Sequence, residues 1–338
     1  MIVIVKPQAT AEQREQLLRR IRELGLQPMV SNGSERTVVG LIGDERLIAE
    51  GMLESLPAVE QVMPILKPYK LVSREFKASD SIVEVRGIPF GGKQIQVIAG
   101  PCSVETPEQM RHAAEAVEAA GCRLMRGGAF KPRTSPYTFQ GVGDEGLDFF
   151  RDAADAFNLP IVTELMDVRK IDLFLEKRVD VIQIGTRNMQ NFDLLKEVGR
   201  LEVPIILKRG MSATVKEWLM AAEYIAAHGN HRIIFAERGI RSFETSYRNI
   251  LDVTAISFLK KETHLPVIVD PSHAGGKAWL VPALAKAAIA AGADGLLIES
   301  HPCPEEAWCD ADQALSPEQL KILMADLRKL AEAIGREL

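Results

Sequence analysis

The sequence predicts an α/β chain, a closed (β/α)8 TIM barrel with an N-terminal ferredoxin-like α+β domain. Three observations lead there. After residue 80, eight short and nearly continuous Val/Ile/Leu runs recur, the pattern of a parallel sheet buried on both faces. Amphipathic or Ala-rich stretches separate most of them, and eight strand–helix units in about 250 residues favour a closed barrel over an open doubly wound sheet. Before residue 67 the order is different, β-α-β-β-α-β.

The first domain is expected over residues 1–66. "MIVIVK" reads as a buried strand. In "TAEQREQLLRRIRELG", Thr10 and Gln13 have capping-box spacing, Leu17, Leu18, Ile21 and Leu24 form an apolar stripe, and Gly25 suits the stop. "QPMVSNG" and "RTVVGLIG" follow as strands, then a second helix over Asp44–Ser55 and a last strand in "VEQVMPIL". No cluster of catalytic residue types lies in this stretch, so a regulatory or structural role is expected. Residues 67–79 read as a linker and 80–338 as the barrel.

The barrel strands fall at "IQVIAG", "RLMRGG", "PIVTEL", "VDVIQIG", "PIILKRG", "RIIFAERG", "PVIVDPS" and "GLLIES". Helix starts have their own signals: Thr106-Pro107 with Gln109, Thr214 with Glu217, and Ser316-Pro317 with Gln319 suit N-caps. Gly121, Gly229 and Gly292 suit helix ends. "FGGKQ" is read as a hairpin turn, forming with "DSIVEVRG" a ribbon that plugs the barrel's N-terminal mouth.

Composition narrows the function classes. Across 338 residues, 46% are hydrophobic and 26% charged, ordinary for a globular enzyme, and the net charge of -5 offers no basic field for nucleic acid. No run approaches the roughly 20 apolar residues of a membrane span. "MIVIVKPQAT" lacks a basic segment and a small-residue cleavage site, and Cys102, Cys122, Cys303 and Cys309 form neither a disulfide scaffold nor a CxxC pair. A cytoplasmic protein with reduced thiols is expected.

Active sites of such barrels lie at the C-terminal strand ends. Those ends carry Cys102, Arg126, Glu164, Arg187, Lys208, Glu237 with Arg238, Asp270 with His273, and Glu299. One set, Cys102, His273, Glu299 and a later carboxylate, suits a borderline divalent cation of the Mn, Fe, Co or Zn class rather than Mg. For the last ligand Asp310 and Asp312 compete, with Glu305 and Glu306 as weaker choices. His301, Cys303 and Cys309 offer a rival thiol-rich site, and a lone Cys102 or His273 is often only packed or hydrogen-bonded.

The second set is cationic: Arg126, Lys131, Arg133, Arg187, Lys208 and Arg238. Around one mouth these would repel one another unless paired to Glu164, Glu237 or Asp270, or unless the pocket takes a multiply charged, phosphorylated substrate. "KPRTSP" adds two cations and two hydroxyls, held by prolines, to such a pocket.

"IAGPCSVE", "LMRGGAFKPRTSPYTFQG", "IQIGTRNMQN", "ILKRG", "FAERGIR", "VDPSHAGG" and "GLLIESHP" follow one another in order. Together they resemble the 3-deoxy-D-arabino-heptulosonate-7-phosphate (DAHP) synthases, type I beta branch, closely over residues 80–338. The N-terminal unit is similar to the ACT-like regulatory domain of that branch. The resemblance implies metal-dependent condensation of phosphoenolpyruvate with erythrose 4-phosphate, giving DAHP and phosphate at the first step of the shikimate pathway. It implies metal ligation by Cys102, His273, Glu299 and Asp310, with one ion per subunit. It places the phosphoenolpyruvate carboxylate on Arg126, Lys131 and Lys208, and its phosphate on Arg187 and Arg238. Arg133, Thr134 and Ser135 would take the phosphate of erythrose 4-phosphate, and Lys131 or Glu164 would handle protons. Feedback by Tyr or Phe and a homotetramer are also implied. Thr186 stands where the family often has Ala, which touches a backbone contact at most. The sister enzymes that use arabinose 5-phosphate carry a KANRS-like segment in place of "KPRTS". A metal-dependent aldolase or hydrolase would leave the cationic ring oversized. A non-catalytic metabolite sensor predicts a broken ligand set.

Overall fold

The computed structural model describes residues 1–32, 37–43, 51–63, 67–133 and 135–338. The chain divides into two compact units, one of residues 1–80 with 261–264 and one of residues 81–260 with 265–338.

In the first unit, β1 (Ile2–Val5), α1 (Ala11–Glu23), β2 (Gln27–Asn32), β3 (Thr37–Ile42) and β4 (Val59–Met63) build one sheet in the order β2-β3-β1-β4. Each described pairing is antiparallel. Thr10 and Gln13 form the capping box, and Leu17 and Ile21 are the buried stripe of α1, packed with Val3, Val5 and Val39. The expected helix over 44–55 lies largely outside the described residues, and 51–55 run as turns.

The second unit opens with a two-stranded ribbon, β5 (Val83–Val85) and β6 (Ile88–Phe90). Its turn is Arg86–Gly87, not "FGGKQ" as the sequence suggested. A two-residue hairpin loop needs positive φ at both central positions, and Arg86 (46°) and Gly87 (77°) supply it. Gly91 and Gln94 instead bridge a separate turn into the barrel.

Eight parallel strands then close the barrel. They are β7 (Gln96–Gly100), β8 (Leu124–Arg126), β9 (Ile161–Glu164), β10 (Val181–Ile184), β11 (Ile205–Lys208), β12 (Ile233–Glu237), β13 (Val267–Val269) and β14 (Gly295–Glu299). Helices between them include α2 (Pro107–Ala119), α3 (Asp144–Ala156), α4 (Ile171–Glu176), α5 (Phe192–Val198), α6 (Val215–Ala227), α7 (Val253–Glu262), α8 (Pro271–Gly275) and α9 (Val281–Ala290), with α10 (Pro317–Ala333) last. Thr106, Thr214 and Ser316 cap their helices as their spacing predicted.

One apolar layer fills the barrel's N-terminal half: Ile98, Leu124, Val162, Val181, Ile206, Ala236, Ile268 and Leu297, plugged from below by Val83, Val85, Ile88 and Phe90 of the ribbon. Side chains alternate along a strand, so the residue two further on shares the inward face. Those residues are Gly100, Arg126, Glu164, Gln183, Lys208, Arg238, Asp270 and Glu299. A polar layer therefore sits directly above the apolar one. The intervening Arg209 and Glu237 face outward and pair with each other at 2.9 Å.

Candidate active site

Above the polar layer lies a cavity of about 270 Å³ lined by Lys131, Arg133, Glu164, Arg187, Lys208, Arg238, Arg248, His273 and Asp310, among others. Six cations thus face two carboxylates. Lys208 is matched, its Nζ 2.5 Å from Asp270 Oδ2. Arg238, only 4% exposed, hydrogen-bonds no carboxylate among the described residues and reaches the carbonyls of Gly239 and His273, at 3.5 and 3.4 Å. Burial pulls its guanidinium below the ordinary value. Arg187 has no partner among the described residues. Asp270 and Glu237 favour the Arg238 charge without hydrogen-bonding it, and a buried guanidinium left so suits an anion in the cavity.

Beside it, four metal-type donors converge. Cys102 Sγ, Glu299 and Asp310 offer atoms within 4.8 Å of one another. His273 Nε2 lies 3.3 Å from Glu299 Oε1 and 4.0 Å from Asp310 Oδ2. Thiol, imidazole and two carboxylates at this spacing fit a borderline divalent cation.

The supporting shell orients them. Asp270 caps α8 by accepting the His273 N–H. Burial opposes its charge, yet His273 and Lys208 hold its carboxyl well below the usual range. Burial pulls His273 below its ordinary value, although Asp270 and Glu299 favour its charged form. Burial works against the Asp310 charge too, but His273, Arg248 and Lys131 hold it down to about 2. Glu299 is pinned on both oxygens, by Arg126 Nη1 at 2.9 Å and Gln313 Nε2 at 2.5 Å.

Several expected contacts fall elsewhere. Arg126 does not line the cavity; it is buried behind it, on Glu299 and the Pro101 carbonyl. Ser135 turns its hydroxyl to the Tyr137 N–H within its own loop, and Thr134 lies outside the described residues. Glu164 accepts from Gln183 and presses on Gly185, where a Cβ would stand 1.8 Å from its Oε1. Any larger residue there would push the carboxylate aside.

The rival thiol site does not form. His301 meets Glu105, Cys303 sits near Glu305, and Cys309 instead lies 2.9 Å from Cys102 Sγ. The hydrogen bond with Cys102, and Lys131, draw the Cys309 thiol down to about 6 against the pull of burial. The same bond, burial and Glu299 push Cys102 up, so one thiolate is shared by two sulfurs. Lys131 Nζ stands 3.0 Å from Cys102 Sγ and, although burial opposes it, the two thiols keep its ammonium charged. Sequence reading missed Cys309 as a neighbour of Cys102, and missed Arg248 and Gln313. Arg248 hydrogen-bonds Gln313, which holds Glu299, and no strand-end signal marks either residue.

Comparison with known proteins agrees with this geometry. The model of the DAHP synthetase I family matches residues 76–335, and that of the DAHP synthase ferredoxin-like domain matches residues 1–67. A phospho-2-dehydro-3-deoxyheptonate aldolase of Thermotoga maritima is 46% identical over 99% of both chains. A 2-dehydro-3-deoxyphosphooctonate aldolase of Desulfosudis oleivorans is 30% identical over 72% of this chain and 92% of its own. The crystal structure of a DAHP synthase from Thermotoga maritima superposes with a TM-score of 0.79, covering 99% of this chain and 98% of that one. The chain belongs to the DAHP synthetase I family and carries, ahead of its barrel, that family's ferredoxin-like domain.

Proposed function

We propose that the chain is a metal-dependent DAHP synthase, joining phosphoenolpyruvate to D-erythrose 4-phosphate with release of phosphate. One observation carries the reading: Arg238, buried, and Arg187, neither hydrogen-bonded to a carboxylate among the described residues, line the same cavity as His273 and Asp310. A doubly anionic substrate and a cation site adjoin.

Arg187 and Arg238 would hold the phosphate of phosphoenolpyruvate, and Lys208 and Lys131 its carboxylate, with Arg126 fixing the wall behind them. Arg133, with Thr134 and Ser135, would take the phosphate of the aldehyde substrate. Cys102, His273, Glu299 and Asp310 would hold a divalent ion of the Mn, Fe, Co or Zn class, which supplies Lewis acidity toward the aldehyde when bound. The chain's own work is placement: the cationic wall offsets charges that otherwise keep two phosphorylated substrates apart. C3 of the enol phosphate then bonds to the aldehyde carbon. Water adds at C2, and phosphate leaves with the C–O bond. Lys131 would give a proton to the former aldehyde oxygen, and Glu164 would take one from the attacking water.

The reading extends to a cytoplasmic homotetramer, inhibited by Tyr or Phe through residues 1–66 and placed in aromatic amino-acid biosynthesis. The ferredoxin-like match over residues 1–67 supports a regulatory domain. The test is phosphoenolpyruvate consumption with erythrose 4-phosphate or arabinose 5-phosphate, before and after EDTA and metal re-addition. Metal-restored turnover with erythrose 4-phosphate alone is expected. Preference for arabinose 5-phosphate, or no turnover with either, overturns it.

A further inference from the structure

Two polar residues of the quoted motifs, Glu105 of "IAGPCSVE" and His301 of "GLLIESHP", have no place in the chemistry above. Both are buried, 6% and 5% exposed, and they meet each other: His301 Nε2 lies 3.4 Å from Glu105 Oε2. Removing one partner of such a buried pair leaves the other uncompensated. The second oxygen, Oε1, accepts from Ser103 Oγ at 2.9 Å and from the backbone N–H of Trp308 at 2.9 Å.

These three partners lie on three of the four chain segments that carry the proposed metal ligands, all but that of His273. Ser103 follows Cys102. His301 lies two residues after Glu299. Trp308 lies two residues before Asp310, which stands at φ 55°, a left-handed backbone uncommon for non-glycine residues but more accessible to Asp than to most. Ser103 Oγ also accepts from the Cys309 thiol at 3.3 Å, which ties the neighbouring sulfur to the same group.

We propose that Glu105 is a positioning residue for the metal site: its carboxylate locks together the segments bearing Cys102, Glu299 and Asp310. The inference rests on the metal-dependent reading above. Glu105 touches neither the cavity nor any ligand atom, so its effect must pass through those segments. The Trp308 N–H ties the loop that carries Asp310 directly to this carboxylate.

The test uses the full-length chain with cobalt(II) as the probe. Glu105→Ala and Glu105→Gln are compared with the parent by chelator competition, by the thiolate-to-cobalt absorption band, and by phosphoenolpyruvate binding to the EDTA-treated chain. Glu105→Ala is expected to weaken cobalt about 10- to 100-fold, as loss of an orienting partner does, and to shift the band. Phosphoenolpyruvate binding without metal should be unchanged, because the anion wall is untouched. Glu105→Gln keeps an acceptor for Trp308 N–H and should stay within about threefold of the parent. Three results overturn the inference: parental cobalt affinity in Glu105→Ala, equal weakening in Glu105→Gln, or loss of phosphoenolpyruvate binding together with cobalt. A parent chain that takes up no cobalt overturns the functional reading itself, and this inference with it.

Discussion

Asp270 holds His273 at two points: Oδ1 accepts the His273 backbone N–H at 2.9 Å, and Oδ2 lies 2.7 Å from Nδ1. Oδ2 also takes Lys208 Nζ. The carboxylate fixes the proton on Nδ1 and leaves the Nε2 lone pair facing Glu299 and Asp310. A single helix cap thus links the anion wall to the cation site.

Asp270→Asn should therefore damage both. The amide can turn a donor toward Lys208 or His273, and metal affinity is expected to drop about 10- to 100-fold. Chelator competition on the folded variant checks this; parental affinity would show that His273 needs no such partner.

Arg238 is the sharpest test of the anion wall. Arg238→Ala should lower kcat/KM for phosphoenolpyruvate by about 10- to 150-fold, the value of a charged hydrogen bond of about 1.5–3 kcal/mol. Arg238→Lys should recover little, since a point charge cannot reproduce the planar fork. Steady-state kinetics with metal saturating would expose an unaffected variant.

The thiol pair sets a pH limit. Cys309 is held down to about 6, so above that pH one thiolate already exists. As pH falls through about 6 both sulfurs hold protons, a cation must displace one, and metal affinity should fall. Asp310, held near 2, remains ionised across this window and does not contribute. Cobalt titrations between about pH 5 and 8 should show the drop on the acid side; a flat profile would contradict a shared thiolate.

At Gly185 a methyl group would overlap Glu164 Oε1. Gly185→Ala should displace that carboxylate and cost as much activity as Glu164→Ala, with the double variant no worse than either. Additive losses in that cycle would mean the two act separately.

The ribbon plug is a stability element. Phe90 is fully buried in the barrel's apolar layer, and Phe90→Ala should cost about 3–5 kcal/mol without altering KM. Denaturant midpoints together with kinetics of the folded fraction would reveal a role in the site instead.

Much of this was legible in order along the chain. The eight apolar runs, the caps at Thr106, Thr214 and Ser316, and the polar strand ends all follow from local rules with short periods. Even the inward layer is implied once a strand is recognised: Ile206 facing the core puts Lys208 on the same face. The hairpin was misjudged by a few residues because "RG" and "GGK" both allow positive φ, and only pairing of Val85 with Ile88 decides between them.

By itself the sequence determined the barrel and the donor and cationic residue types at its strand ends, since alternation and residue chemistry are local properties. It could not show that Arg126 turns behind the cavity onto Glu299. Nor could it show that Cys309 meets Cys102 from 207 positions away, or that Glu105, His301 and Trp308 form one network. Those contacts arise where β14 closes on β7 and brings the last loop beside the first. Closure joins residues remote in sequence at distances no period encodes, so tertiary structure alone decided which donors share the site.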